Sequence, residues 1–273
     1  MAGEDNVLRT KILKEVNEDF HQGDKLNYAM DSEILLELVR CFEEEDEVIR
    51  ELGSRAIIKV AGTEKGRIIL IEDEIIPKIR DLFNDNIVKI RANAYNAMIS
   101  ISEFTFGIDS VISFNIIPVL VDKLNDEKNE DILILILTLL KILIEGDAAP
   151  LVIQGSEVLP RLNSHLKSGH YRIRELAALN LGSISYNSLG KEQTIDANSI
   201  PPLTEMLTDQ VSDVRTASTR ALASLAQQKE GKVQIYDLDK LNEIIALLYD
   251  KSDQTRLNTV QLICAVGEYP PAK

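Results

Sequence analysis

Ser199 to Gly231 reads SIPPLTEMLTDQVSDVRTASTRALASLAQQKEG. It predicts two antiparallel helices. The first starts at Pro201 and Pro202, where a missing N–H costs nothing, and carries Leu203, Met206 and Leu207 on one face. A polar turn over residues 209–213 breaks it. The second carries Val214, Ala217, Ala221, Leu222 and Leu225 at the spacing of an apolar helical stripe. Gly231 is expected to close the unit.

The unit recurs. Apolar-Pro junctions fall at Ile76-Pro77, Ile117-Pro118, Leu159-Pro160 and Ile200-Pro201, in steps of 41, 42 and 41. Arginine opens the second helix at Arg50, Arg91, Arg174, Arg215 and Arg256. Glycine follows 16 residues later at Gly66, Gly107, Gly190 and Gly231. An acid lies six residues before, at Glu44, Asp85, Asp209 and Asp250, and Asp126 holds the beat where Ile132 replaces arginine. A period near 40 with two or three helices per copy marks an armadillo or HEAT solenoid. The expected fold is all-α: a right-handed superhelical solenoid of about six repeats. They run near 31–72, 73–114, 115–156, 157–198, 199–238 and 239–273, after a capping helix and linker in 1–30 that lie off the beat. Asp31 or Ser32 is the expected N-cap of the first repeat.

The run from Ile132 to Ile144 alternates β-branched residues and leucine, as a strand would, but the register of the array demands a helix. A helix apolar all round has to be covered all round. The beat of charges has its own reading. A cation at a helix N-terminus opposes the dipole, so its repetition asks for a partner. Pairing each arginine with the next repeat's acid gives Arg50–Asp85, Arg91–Asp126, Arg174–Asp209 and Arg215–Asp250. It also places the two exceptions, Ile132 and Ser168, on one junction.

Composition narrows the function. With 44 acidic and 30 basic side chains, the net charge is −14, which argues against nucleic acid and anionic membranes as partners. No apolar run reaches membrane-spanning length. No leader is read at the start, so a reducing cytosolic, nuclear or ciliary-matrix setting is expected. Cys41 and Cys264 are expected as buried free thiols on apolar faces. His165 and His170 lack ligand-spaced partners and are expected at the surface, and the acidic run from Glu43 to Glu47 is expected as a solvated turn, not a metal cage. No phosphate loop, nucleophile elbow, zinc motif or CxxC occurs. The reading is therefore no enzyme, no cofactor, no metal and no small-molecule substrate.

The tract Ile200 to Leu207, with Asp213-Val214-Arg215 and Ala221 to Ala226, is similar to the helix 2–turn–helix 3 consensus of the armadillo family. That resemblance covers about 31–273 and implies a concave ladder of third helices that holds protein partners. The family's nuclear-import adaptors carry Trp and Asn on each third helix. Here Arg55, Asn96, Leu179, Arg220 and Gln261 stand at the Trp places, and Lys59, Ser100, Ser183, Ser224 and Ala265 at the Asn places. An extended basic peptide would lack its stacking walls. Leu139 and Leu143 are expected as an apolar patch for an amphipathic partner helix, or as packing between repeats. Arg55, Lys59 and Arg220 are expected either to meet acidic partner side chains or to be solvated.

Leu189-Gly190-Lys191, the tract Asp196 to Leu203 and the run Phe114 to Leu124 resemble the armadillo-repeat family of the ciliary radial spoke, the radial spoke head protein fourteen homologues. That resemblance implies a non-catalytic scaffold subunit of the axonemal spoke, bound to other spoke proteins in a cilium or flagellum and supporting motility. The alternative is a soluble, otherwise cytoplasmic adaptor or signalling protein that binds helical or extended peptides.

Overall fold

The turn before each long helix sets the architecture. In the computed structural model, which describes residues 2–30, 33–153 and 157–270 (side chains of 2–5 and 147 excepted), Arg215 reaches in two directions. Its guanidinium donates to the Asp209 and Gln210 carbonyls of its own turn, at 2.8 and 3.2 Å, and to Asp250 of the following repeat at 2.6 Å. Asp250 in turn accepts the Ser252 amide at 2.9 Å. Arg174 and Asp209 repeat the arrangement, with the ion pair at 2.7 Å and the Val211 amide on Asp209 at 2.8 Å. So do Arg50 and Asp85, paired at 2.8 Å, with the Ile87 amide on Asp85. Each acid therefore fixes its own turn and anchors the arginine 35 residues before it. The arginine's opposition to the helix dipole is offset by the carbonyls and carboxylate it holds.

The chain forms two units, one up to residue 116 and one from residue 117. No strand occurs among the described residues. Each repeat has a short first helix, a second helix that usually ends in a 3₁₀ turn, and a long third helix. In the first unit the third-helix places are taken by Ala2–Asp19, Glu47–Ala61 and Val88–Ile101. In the second they are Glu130–Leu143, Tyr171–Ile184, Ser212–Leu225 and Asp253–Gly267. Within each unit these helices pack on one another in sequence order. Buried Ile, Leu and Ala supply the drive, at about 1.5–3 kcal/mol for each large side chain. Buried asparagines tie neighbouring third helices: Asn180 donates to the Leu137 carbonyl at 3.0 Å, and Asn258 to that of Thr216 at 3.1 Å. The expected Arg91–Asp126 rung has one member in each unit and lies outside what either unit shows by itself.

The N-terminal helix covers the first repeat as expected, but the region carries more of the repeat than the sequence suggested. Ala2–Asp19 packs against Glu47–Ala61 as a third helix would, and Arg9 pairs with Glu44 at 2.7 Å, again 35 residues apart. The beat thus begins at Arg9. Residues expected as linker form a second helix, Gly23–Met30, which buries Leu26, Ala29 and Met30. The expected N-cap at Asp31 or Ser32 lies outside the described residues.

The periodic glycines do not close anything. Gly66, Gly107, Gly190 and Gly231 sit inside first helices, where each crosses the C-terminal end of the preceding third helix. A Cβ there would fall 1.8–2.2 Å from the carbonyl oxygens of Val60, Ile101, Ile184 and Leu225. Repeat three has Ala148 at this place. There the third helix does not break. It continues through a π-helical stretch, Ile144–Ala148, into Ala149–Ile153.

Two side-chain expectations fail. Cys41 is buried, but Cys264 is exposed, on a face of Asp253–Gly267 that packs against no described helix. His165 is half-buried, its Nε2 donating to the Leu124 carbonyl at 2.8 Å, and burial pushes its pKa below the ordinary range although that bond acts the other way. His170 accepts the Arg172 amide and stacks on Tyr171.

Candidate protein-binding groove

The third helices of the second unit carry residues at equal stations 41 apart: Gly182 and Ala223, Ser183 and Ser224, Arg220 and Gln261. Tyr186 and Gln227 extend the series into the turns that follow two of those helices. Together these stations line a groove of about 910 Å³. The small residues make its floor. Ser224 is spent on the Ser185 carbonyl at 2.7 Å, which ties its helix to the previous turn. The rim is Tyr186, Arg220, Gln227 and Gln261, with Tyr186 85% exposed. Ile144, Ala149 and Pro150, delivered by the unbroken helix of repeat three, form an apolar end. Beside them, Glu145 accepts from Ser183 at 3.1 Å and from Lys141 at 2.6 Å.

The residues read from the sequence divide. Ser183, Arg220 and Ser224 line this groove. Leu179 is half-buried one turn away on the same helix as Ser183 and does not line it. Leu139 and Leu143 are both 0% exposed, so they form no docking patch. The physical reason is register. Five and nine residues past Ile132 come Leu137 and Lys141, the true equivalents of Asn96 and Ser100. Leu139 and Leu143 lie two residues further, about 200° around the helix, on the side packed into the core. Tyr186 and Gln227 sit in the turns after third helices, and Pro150 in the helical continuation Ala149–Ile153 beyond the usual third-helix end, so none carries a third-helix signal and sequence reasoning missed them.

In the first unit Arg55 and Lys59 line a separate cavity of about 520 Å³ with Lys14 and His21. Both cations are engaged. Arg55 bonds Glu51 through Nε at 3.0 Å. Lys59 donates to the Asn17 carbonyl and meets His21 Nε2 at 3.2 Å. Burial and then the neighbouring Arg55 push the Lys59 amine below its ordinary range, while Glu18 opposes them. Asn96 turns its amide back to the Ala92 carbonyl at 2.8 Å, and Ser100 is partly exposed. The groove of the second unit offers what a polypeptide recognises: a small-residue floor that admits a backbone, the free Gln261 amide and Arg220 guanidinium at the rim, and an apolar stop. No histidine or cysteine lines it, and its single carboxylate is already bound.

A HEAT repeat profile matches residues 200–228. Among solved structures, the chain is similar to an engineered protein at 21% identity, with TM-score 0.78 over 86% of this chain and 98% of the other. It is similar to a designed armadillo repeat protein at 17% identity, with TM-score 0.76 over 85% and 99%. A second designed armadillo repeat protein, solved in complex with the peptide (KR)4, matches at 18% identity and TM-score 0.76 over 85% and 99%. The fold is armadillo-type.

Proposed function

We propose that this chain is a non-catalytic armadillo-type scaffold that holds a segment of a partner protein along the third helices of its second unit. The observation that carries this reading is the groove itself, whose lining repeats at 41-residue stations and whose rim amides and guanidinium are presented to solvent. A similar designed protein binds a peptide, which supports a polypeptide ligand here. A Trp at Ser224 would fill the floor without entering the core. The Ser224→Trp variant should lose cross-linking of partner protein to a photoreactive residue placed at Gln227, while its thermal unfolding stays cooperative and falls by no more than the roughly 1 kcal/mol that the lost Ser185 bond is worth. Cross-linking that survives the substitution would sink the reading.

At the finer level we propose a subunit of the axonemal radial spoke, bound to other spoke proteins in cilia or flagella and supporting motility. This rests on the likeness of Asp196 to Leu203 and of Phe114 to Leu124 to that family. A tagged copy expressed in ciliated cells should lie along the axoneme and resist salt extraction. Signal confined to cytosol or nucleus would remove the spoke assignment and leave the adaptor reading.

A further inference from the structure

Three basic side chains stand at the exposed stations of the third helices: Arg55, Lys59 and Arg220. The first two are tied to Glu51, Asn17 and His21 within their own unit. Arg220 is exposed and carries no hydrogen bond or ion pair to another side chain. It is also the one basic residue that lines the large groove. The groove's single acid, Glu145, is neutralised by Lys141 and saturated further by Ser183. So the groove presents a net unpaired positive charge inside a chain of net charge −14. Local field at a concave site, not the average charge, selects a ligand. A basic segment would be attracted to the molecule as a whole yet repelled at this spot, with no carboxylate left to receive it.

The spacing says how such a ligand lies. Arg220 and Tyr186 sit on or beside successive third helices, and packed helices stand about 8–10 Å apart. An extended chain covers that distance in about three residues, at roughly 3.3 Å each. The small floor at Gly182 and Ala223 allows a backbone to approach, and the free Gln261 amide offers it both a donor and an acceptor. The open ring of Tyr186 gives a face for an apolar or aromatic side chain, and Pro150, Ala149 and Ile144 continue that apolar surface.

Building on the groove reading above, we infer that the site takes an extended acidic peptide. Its carboxylate pairs with Arg220, and an apolar or aromatic residue about three positions away rests on Tyr186. A random octapeptide library displayed on phage tests this against the full chain, Arg220→Glu and Ser224→Trp, each first checked for cooperative thermal unfolding to the same unfolded baseline. The native chain should enrich peptides with Asp or Glu at a fixed place, three or so residues from an apolar one. Arg220→Glu should enrich Lys or Arg at that place and bind the original peptides at least tenfold more weakly. Peptides that depend on Ser224 but show a basic or no charge preference would overturn the acidic assignment and leave the groove reading standing. No enrichment, or enrichment indifferent to Ser224→Trp, would overturn both.

Discussion

Asp250 offers the sharpest test of how one repeat is fastened to the next. Its side chain is 4% exposed and that of Arg215 is 15% exposed. Replacing it with Ala removes a charge-assisted bond of 2.6 Å, worth about 2 kcal/mol. It also strips the Ser252 amide of its acceptor, at about 1 kcal/mol more. Arg215 keeps the Asp209 and Gln210 carbonyls, so its charge is not stranded and the larger penalty of a fully orphaned buried ion does not apply. The sum is about 3 kcal/mol. In a stacked array this loss falls on the last repeat and not on the whole molecule. Hydrogen exchange is therefore the right assay, since one global unfolding energy is poorly defined for such arrays. Amides of Asp253–Gly267 should lose roughly 100-fold in protection, as about 1.4 kcal/mol is tenfold. Those of Tyr171–Ile184 should be unchanged. The effect must also depend on pH. Its bond to Arg215 holds the Asp250 carboxyl below the ordinary 3.8, against the opposing pull of burial. A folded value below the unfolded one means that the stabilisation is complete above the ordinary value and disappears as pH falls through the folded one. The gap between native and variant should close in that acidic window. A loss of protection under threefold, or one spread evenly over the second unit, would refute the reasoning.

Other substitutions probe other features. Gly190→Ala should cost about 3 kcal/mol, read as lost hydrogen-exchange protection across Ser188–Asp196, because the new methyl would fall 1.8 Å from the Ile184 carbonyl oxygen. Glu74 holds φ 53°, at a turn where the later repeats place Asn198 and Asp239. Glu74→Gly should raise stability by about 1 kcal/mol, seen as a higher Tm, by relieving a left-handed residue. His165→Gln keeps a donor for Leu124 but cannot be charged. Burial sets the native histidine's folded pKa below the ordinary 6.5, so its contribution is present above that value and fades as pH falls through the folded one. The variant should therefore lose less stability than the native chain between pH 7 and 5.

Much of the fold could be read in the chain because each marker does one geometric job in every copy. Arginine, acid and glycine hold fixed separations since the turn, its neighbour and the crossing first helix sit in fixed relation. Reading failed where a marker was missing. Repeat three has neither the arginine nor the glycine, and with only Asp126 and the Ile132 place to count from, Leu139 and Leu143 were set two residues off the register and on the wrong side of Glu130–Leu143. Arg9 shares the separation to its acid but stands before the first complete hairpin, which hid it. The groove was only half legible: Ser183, Ser224 and Arg220 follow from helical stations, whereas Tyr186 depends on how a turn folds over them and Pro150 on the unbroken continuation of repeat three's helix. Left-handed backbone at Glu74, Asn115, Asn198 and Asp239 follows the same beat, yet only the Asn and Asp among them hint at it in sequence.

Repeats three and four meet without a guanidinium–carboxylate pair of the kind found at the next two junctions. Their second helices are joined instead by Arg161, which donates to the Val121 carbonyl and makes only a long 3.5 Å pair with the exposed Asp122, and by His165 on Leu124. Under tension a row of links parts where the bonds that cross are weakest, and here one of those bonds involves a ring that can gain a proton. Pulled lengthwise in an optical trap, the second half of the molecule should yield first at this seam, at a force that drops as the medium is acidified.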